Sequence, residues 1–297
     1  MKDVVLLCSF KFELGVFYIV VIKFFNQFLL LGAGLTALFN SCVTYSSVGE
    51  YRLELPKIAD GETIITYSGY PEIGCDSKTA DFSEVKKIAY TVSYDSHNKI
   101  PRWVAYDLTS EELIGTATRK GKNFRPDERA GVPQADNNDY RNSGWTRGHL
   151  APAGDFKWDD SAMNDTFYYT NCCPQSETLN TGSWQKLENR IRNWAEMFGV
   201  VYIITGPIIG NAENGSIGIN RVTIPDAFFK AVLARDGESF QAVAFILENT
   251  SASQSYTKCC LSVNELEHII GIDLFPYLDD SIEETVESTF SKRFWGI

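Results

Sequence analysis

The stretch from Trp145 to Glu188 constrains this chain more than any other. It opens Trp145-Thr146-Arg147-Gly148-His149-Leu150-Ala151-Pro152-Ala153, passes through Thr170-Asn171-Cys172-Cys173-Pro174-Gln175, and closes on Asn180-Thr181-Gly182-Ser183-Trp184-Gln185-Lys186-Leu187-Glu188. If the first piece is a strand, Arg147 and His149 lie on the same face, because strand side chains alternate. If the last piece is a helix, Asn180, Trp184 and Glu188 fall at i, i+4 and i+8 on one side of the cylinder. A window short enough to be one supersecondary unit then gathers a histidine, an arginine, two asparagines and a glutamate.

The chemistry of those side chains is complementary. His149 has the side chain whose unperturbed pKa lies nearest neutrality, which suits a general base that takes a proton from water. The planar fork of Arg147 can grip a phosphate through paired charged hydrogen bonds. Asn180 and Glu188 offer hard oxygens of the kind Mg2+, Mn2+ or Ca2+ prefers. The inventory implies metal-assisted attack on a phosphodiester.

Arg147-Gly148-His149, Asn171-x-x-Pro174-Gln175 and Asn180-x-x-x-Trp184-x-x-Leu187-Glu188 resemble the motifs of the DNA/RNA non-specific endonucleases, the ββα-metal family. Family landmarks are also matched in order by Asn123-Phe124-Arg125-Pro126-Asp127, Thr205-Gly206-Pro207, the segment from Ile224-Pro225 to Lys230, and Val263-Asn264-Glu265-Leu266-Glu267. The resemblance covers about residue 60 to the C-terminus. It implies His149 as the general base, Asn180 as the one direct protein ligand of a single divalent ion, and Glu188 as the group holding metal-bound water. It places Arg147 and Asn171 in support of the phosphate and the site geometry. Arg119 is matched to a further catalytic and phosphate-binding arginine, with Lys120 as the alternative. The chain departs from the family pattern at Thr146, where the family usually has Asp.

The net charge of -11 argues against a protein that coats nucleic acid, since such binding requires many neutralised phosphates. Positive charge is concentrated instead. Arg119, Lys120, Lys122, Arg125, Arg129, Arg141 and Arg147 outnumber Asp127, Glu128, Asp136 and Asp139 in the same span. A cationic cleft on an acidic body suits transient capture of a polyanion.

The first 42 residues are expected to be an export signal. Lys23 precedes an apolar run from Phe28 to Phe39, and Ser41-Cys42 follows it, a pattern of the lipoprotein type with Cys42 as the lipidated residue. A plain cleaved signal and an uncleaved anchor are the alternatives. Residues 43–60 are expected to be a linker and 61–297 the endonuclease domain, in an exported bacterial protein of the cell envelope or the medium.

Within the domain, Thr63 to Tyr70, Lys87 to Tyr94, Trp103 to Leu108, Thr166 to Thr170, Val200 to Thr205, Ala231 to Ala234, Gln241 to Leu247 and Thr257 to Ser262 have strand character. Trp184, Leu187, Ile191, Trp194, Ala195 and Phe198 mark the buried stripe of a helix from about Thr181 to Phe198. Asn264 to Ile270 and Asp279 to Phe290 are expected as two further helices. The polar segment Gly115 to Tyr140 is too long for a turn, and loops of that length are usually functional.

The vicinal pairs Cys172-Cys173 and Cys259-Cys260 give no disulfide framework that the sequence resolves, although export would permit disulfides; they lack zinc-site spacing and are expected as buried free thiols. His97 and His268 are expected to be structural or solvent-facing. The fold expected is α+β, one domain with a central antiparallel sheet flanked by helices and a ββα-metal active site. The reaction expected is hydrolysis of DNA and RNA with little sequence preference, because phosphate contacts do not read bases, and the resemblance implies 5′-phosphate products.

Overall fold

A computed structural model of the chain describes residues 52–73 and 84–297 apart from Val132, Ala212, Glu213 and Glu238, with side chains at 52–68 and from 87 onward. In a separate N-terminal unit, Met1–Ser47, it describes only the backbone of short antiparallel strand pairs, the longest joining Leu6–Phe12 to Gly15–Val21. The expected export run from residue 29 to Cys42 lies outside the described residues, as does Cys75.

The second unit is built on one seven-stranded sheet. Its strands are β1 (Thr63–Ile73), β2 (Glu84–Asp95), β3 (Ile100–Thr109), β6 (Val200–Ile208), β7 (Ala227–Asp236), β8 (Ser239–Glu248) and β9 (Cys260–Leu261). They lie in the order β9-β8-β7-β6-β3-β2-β1, every neighbouring pair antiparallel. Two further strands, β4 (Thr146–His149) and β5 (Cys172–Gln175), form a separate antiparallel hairpin. The helices are α1 (Asn137–Tyr140), α2 (Asp160–Asp165), α3 (Gln185–Phe198), α4 (Val263–Ile270), α5 (Asp280–Ser288) and α6 (Lys292–Trp295).

Strand alternation divides the core into two layers. Val104, Tyr106, Val201, Ile203, Phe228 and Val232 face one way, onto Trp184, Leu187, Ile191 and Trp194 at the start and along the stripe of α3. Trp103, Ala105, Ile204, Phe229, Ala231 and Leu233 face the other way, onto Val263 and Leu266 of α4, Val286 of α5, and Leu274, Phe275 and Leu278 between them. The expected α+β architecture is therefore present, with the sheet as the middle of three layers.

Local signals account for most boundaries. Helix α4 begins at a reciprocal cap, in which Ser262 Oγ accepts from Glu265 N and the Glu265 carboxylate accepts from Ser262 N, and it stops at left-handed Gly271. Three expectations are corrected. The strand foreseen from Thr166 to Thr170 is a pair of tight turns, because Thr166 closes α2 through Met163 O and Asn171 N turns back onto Tyr168 O; the strand begins at Cys172. The linker foreseen to residue 60 ends earlier, because Leu53 and Leu55 are buried in the second core layer. At the other end of the chain, the strand foreseen from Thr257 to Ser262 reduces to Cys260–Leu261 after a single turn at Tyr256–Lys258.

Candidate active site

Hairpin β4–β5 pairs Thr146 with Gln175, Arg147 with Pro174, Gly148 with Cys173 and His149 with Cys172. Gly148 is the position where a side chain has no room. A Cβ there would lie 2.3 Å from Gln175 Oε1 and 2.7 Å from Gln175 Cβ, so the bare backbone lets the Gln175 side chain cross the hairpin. Both ends of that Gln175 amide are buried without a hydrogen-bond partner among the described residues.

His149 closes β4. Its ring sits between Phe124, centroid 4.8 Å away, and Phe167, edge-on at 5.0 Å. Its backbone carbonyl accepts from Trp184 Nε1 at 3.3 Å. Its Nε2 is buried with no hydrogen-bond partner among the described residues. Burial in this aromatic slot, with the Arg119 charge acting in the same direction, pushes the imidazole down to about 3. The ring is therefore neutral at physiological pH, well below the near-neutral value that the histidine reference suggests.

Arg147 lies on the same side of β4 as His149, and its guanidinium carbon is 5.9 Å from the centroid of the same Phe124 ring. Its Nε donates to Tyr169 Oη at 3.2 Å and its Nη2 to Asn137 O and Oδ1 at 3.2 and 3.1 Å, which leaves Nη1 for a ligand. Arg119 is exposed, lies 5.7 Å over the Phe167 ring, and its charge is felt by both His149 and Glu188. The long polar segment before α1 thus delivers Arg119, Phe124 and Asn137 to one place.

Asn171, expected in support of the phosphate and the site geometry, is turned into the protein. It is wholly buried; its Oδ1 accepts from Ala151 N, and its Nδ2 donates to Ala151 O and Thr166 O, each at 2.9 Å. With its amide engaged at both ends, Asn171 pins the loop that leaves His149.

Asn180 lies in a widened helical turn, Leu179–Trp184, which is broken at Gly182 by φ -109° and ψ -105° before α3 begins. Such wide turns recur at functional sites. Asn180 Nδ2 donates to Thr146 Oγ1 at 2.9 Å, tying the turn to β4. Glu188 follows in the first turn of α3. Its nearest company is electrostatic: burial pushes its carboxyl up, while Lys230, Arg192 and Arg119 pull it back.

Lys230 is the residue that sequence reading left without a role. It is fully buried in β7, where Nζ donates to Leu150 O at 3.0 Å and to Thr205 Oγ1 at 3.3 Å and stands 4.5 Å over the Trp184 ring. Beside it, buried Asp155 takes an ion pair from Arg192 and a hydrogen bond of 2.9 Å from Tyr106 Oη. Two signals were available: a lone lysine in the apolar run Phe228-Phe229-Lys230-Ala231-Val232, and Arg192 one helical turn past Glu188.

No three His, Cys, Asp or Glu side chains converge as a ligand set among the described residues. A resident ion would therefore rely on few protein atoms. Asn180 Oδ1 receives no hydrogen bond among the described residues, and the free carboxylate of Glu188 is a second hard oxygen donor nearby in the chain. That donor set fits a hard divalent cation and not zinc in a thiolate site. Cys172 and Cys173 are buried free thiols, and burial pushes Cys172 up to about 12, which keeps it inert. His268 is exposed, with its Nδ1 2.8 Å from Asn264 O.

A two-stranded hairpin whose first strand carries Arg147 and His149, followed by a helix carrying Glu188, is the arrangement of the ββα class of metal nucleases. Residues 74–281 match the family model described as DNA/RNA non-specific endonuclease. The chain is similar to Nuclease EXOG, mitochondrial, of Danio rerio, 36% identical over 232 residues, which are 72% of this chain and 65% of that protein. It is also similar to Endonuclease G, mitochondrial, of Homo sapiens, 31% identical over 201 residues, 63% of this chain and 68% of that one. Among solved structures it is similar to a chain of the EndoG/EndoGI complex, solved to describe the mechanism of EndoG inhibition; the TM-score is 0.61 and the identity 27%, over 65% of this chain and 85% of that one. The chain belongs to the DNA/RNA non-specific endonuclease family. Membership in this metal-dependent family implies a divalent cation.

Proposed function

We propose that this chain is an endonuclease that hydrolyses phosphodiester bonds in DNA and RNA with little regard to base sequence, leaving 5′-phosphates. The observation that carries the reading is His149, a neutral imidazole with an unpartnered Nε2 flanked by the arginines Arg147 and Arg119. A base must be neutral to accept a proton, and a buried nitrogen without a partner is costly unless a substrate or water meets it. His149 Nε2 takes the proton of the attacking water. Nη1 of Arg147 and the exposed guanidinium of Arg119 hold the non-bridging phosphate oxygens. A divalent ion on Asn180, Mg2+ by this reading and Mn2+ or Ca2+ by the same donor chemistry, supplies stabilisation for the charge that builds on phosphate and the leaving 3′-oxygen. With such an ion bound, the Glu188 carboxylate would accept hydrogen bonds beside it and hold the site's geometry. Contacts confined to phosphate explain the lack of base preference.

A plasmid-nicking assay with a parallel RNA substrate tests this. Cleavage of both in Mg2+ and none in EDTA is expected. Retarded plasmid without cleavage at any metal concentration would overturn the proposal and mark a protein that only binds nucleic acid.

The proposal extends to place. The apolar run ending in Ser41-Cys42 supports export with lipidation of Cys42, giving a nuclease held on the cell envelope. Cys42→Ser should lose membrane association while the catalytic unit stays active. Equal partition of both forms into detergent would indicate an uncleaved anchor instead.

A further inference from the structure

Thr146 has one hydroxyl proton and two neighbours. Its Oγ1 lies 2.7 Å from the backbone carbonyl of Gln175, its register partner across the hairpin, and 2.9 Å from the carboxamide of Asn180. A carbonyl oxygen can only accept, so the proton is spent on Gln175 O. Toward Asn180, Oγ1 is left with lone pairs alone. The atom of Asn180 that faces it must then be the amide nitrogen, because an amide oxygen in that place would set two acceptors against each other.

This settles an orientation that an asparagine by itself leaves open, since the two ends of a carboxamide are nearly equal in size. With Nδ2 turned to Thr146, Oδ1 leads out of the opposite end of the planar group, and no protein donor among the described residues occupies it. The constraint is stiff at both ends. Threonine is β-branched and restricted at χ1, and it stands on a strand locked by the β4–β5 register. Asn180 is carried by a widened turn whose backbone is already committed, Asn180 N donating to Ser176 O at 2.9 Å.

We infer that Thr146 is a positioning residue for the metal: its hydroxyl relays the hairpin backbone to Asn180 and presents Oδ1, not Nδ2, to the divalent ion. The inference rests on the reading of Asn180 as the ion's protein ligand. Groups that orient a ligand in this way are typically worth about 10- to 100-fold in metal affinity.

The test is Mn2+ binding to the full chain without nucleic acid, followed by electron paramagnetic resonance of the free ion, with thermal melting alongside. Thr146→Val keeps the shape and removes the hydroxyl; Mn2+ affinity should fall roughly 10- to 100-fold with the melting temperature of the metal-free protein nearly unchanged. Thr146→Ser keeps the hydroxyl and should bind Mn2+ within a few-fold of the wild type, as a rough bound. Asn180→Ala should bind most weakly of the set. Thr146→Val binding like the wild type while Asn180→Ala does not would overturn the role of Thr146 and leave Asn180 as the ligand. Loss of melting temperature in Thr146→Val with unchanged affinity would show a structural staple and overturn it too, as would equal losses in Thr146→Ser and Thr146→Val. Wild-type affinity in Asn180→Ala would instead sink the reading of Asn180 itself.

Discussion

Phe229 and Lys230 are neighbours in β7 and point to opposite faces of the sheet, and the two faces are different environments. Phe229 enters a layer with Trp103, Ile204, Leu233, Val263 and Leu266, where the work is apolar packing. Lys230 enters a layer that also buries Asp155, Thr170, Asn171, Gln175 and Thr205, and that leaves His149 Nε2 and the Gln175 amide without partners among the described residues. Each unpartnered or charged buried group costs free energy, on the order of 1–3 kcal/mol for a neutral one. Groups of that kind are tolerated only where packing elsewhere stabilises the fold. Here the α4–α5 face supplies that packing, and the α3 face holds the proposed base, His149.

The widest gap between the faces should show in catalysis. His149→Ala removes the proposed general base, so cleavage should fall by roughly 10^2 to 10^4, while the melting temperature and the binding of uncut DNA change little. Near-normal initial rates, with contaminating nuclease excluded, would reject His149 as the base. The pH profile sharpens the same point. Protonation of His149 is held down to about pH 3, so its neutral, working form persists at every higher pH. The kcat/KM profile should therefore lack a limb at the ordinary histidine value of about 6.5. Folding carries the opposite sign: the unfolded chain binds the extra proton between about 3 and 6.5, so this group's share of stability is lost as pH falls through that window. A kinetic limb near 6.5 that follows His149 substitutions would show that the ring is more open to water than its slot implies.

What the sequence made legible divides along the same line. The apolar stripe of α3, the central strand from Val200 and the capped helix before Gly271 follow from periodicity and end signals, and each lies within a few residues of its expected bounds. The shared face of Arg147 and His149 follows from alternation and is seen against one Phe124 ring. The site's partners were not legible in the same way. Asn171 is chemically suited to a phosphate, and only three-dimensional hydrogen bonding shows its amide consumed by Ala151 and Thr166. Phe167 to Tyr169 has the composition of a strand, yet Arg125 N and O bond to Phe167 O and Tyr169 N from a loop 42 or more residues upstream. Pairing across such a distance leaves no local pattern. Leu53 and Leu55 look like linker because their alternation is too short to separate from chance, and burial against the far face reveals their role.

Two neighbouring substitutions in β7 test whether the faces are separable. Phe229→Ala should cost about 3–5 kcal/mol of stability from lost packing, read by denaturant unfolding, with specific activity per folded molecule retained. Lys230→Met should cost less, about 1–3 kcal/mol, because it fills the volume but leaves Leu150 O without its donor. It should also lower the specific activity, since Leu150 follows the proposed base and Glu188 loses its largest compensating charge. Equal specific activities in the two variants would mean that the charged layer is structural and that the contrast between faces has no catalytic meaning.

The smallest effect comes from a buried carboxyl on the packing face. Glu287 in α5 is 5% exposed, its Oε1 has no hydrogen-bond partner among the described residues, and burial followed by the charges of Glu267, Glu283 and Asp273 pushes its carboxyl up to about 9. Because the folded value lies above that of the unfolded chain, the native state binds the extra proton between about 4.5 and 9, and stability must decline as pH rises through that window. Glu287→Gln keeps the shape and removes the titration. Its melting temperature should match the wild type near pH 5 and exceed it at pH 8, by a few degrees for a contribution on the order of 1 kcal/mol, with cleavage rates unaltered at either pH. Parallel melting curves across that range would place Glu287 in contact with solvent and return α5 to the ordinary surface. A change in cleavage rate would show that the two faces are coupled through the sheet, which strand alternation alone does not predict.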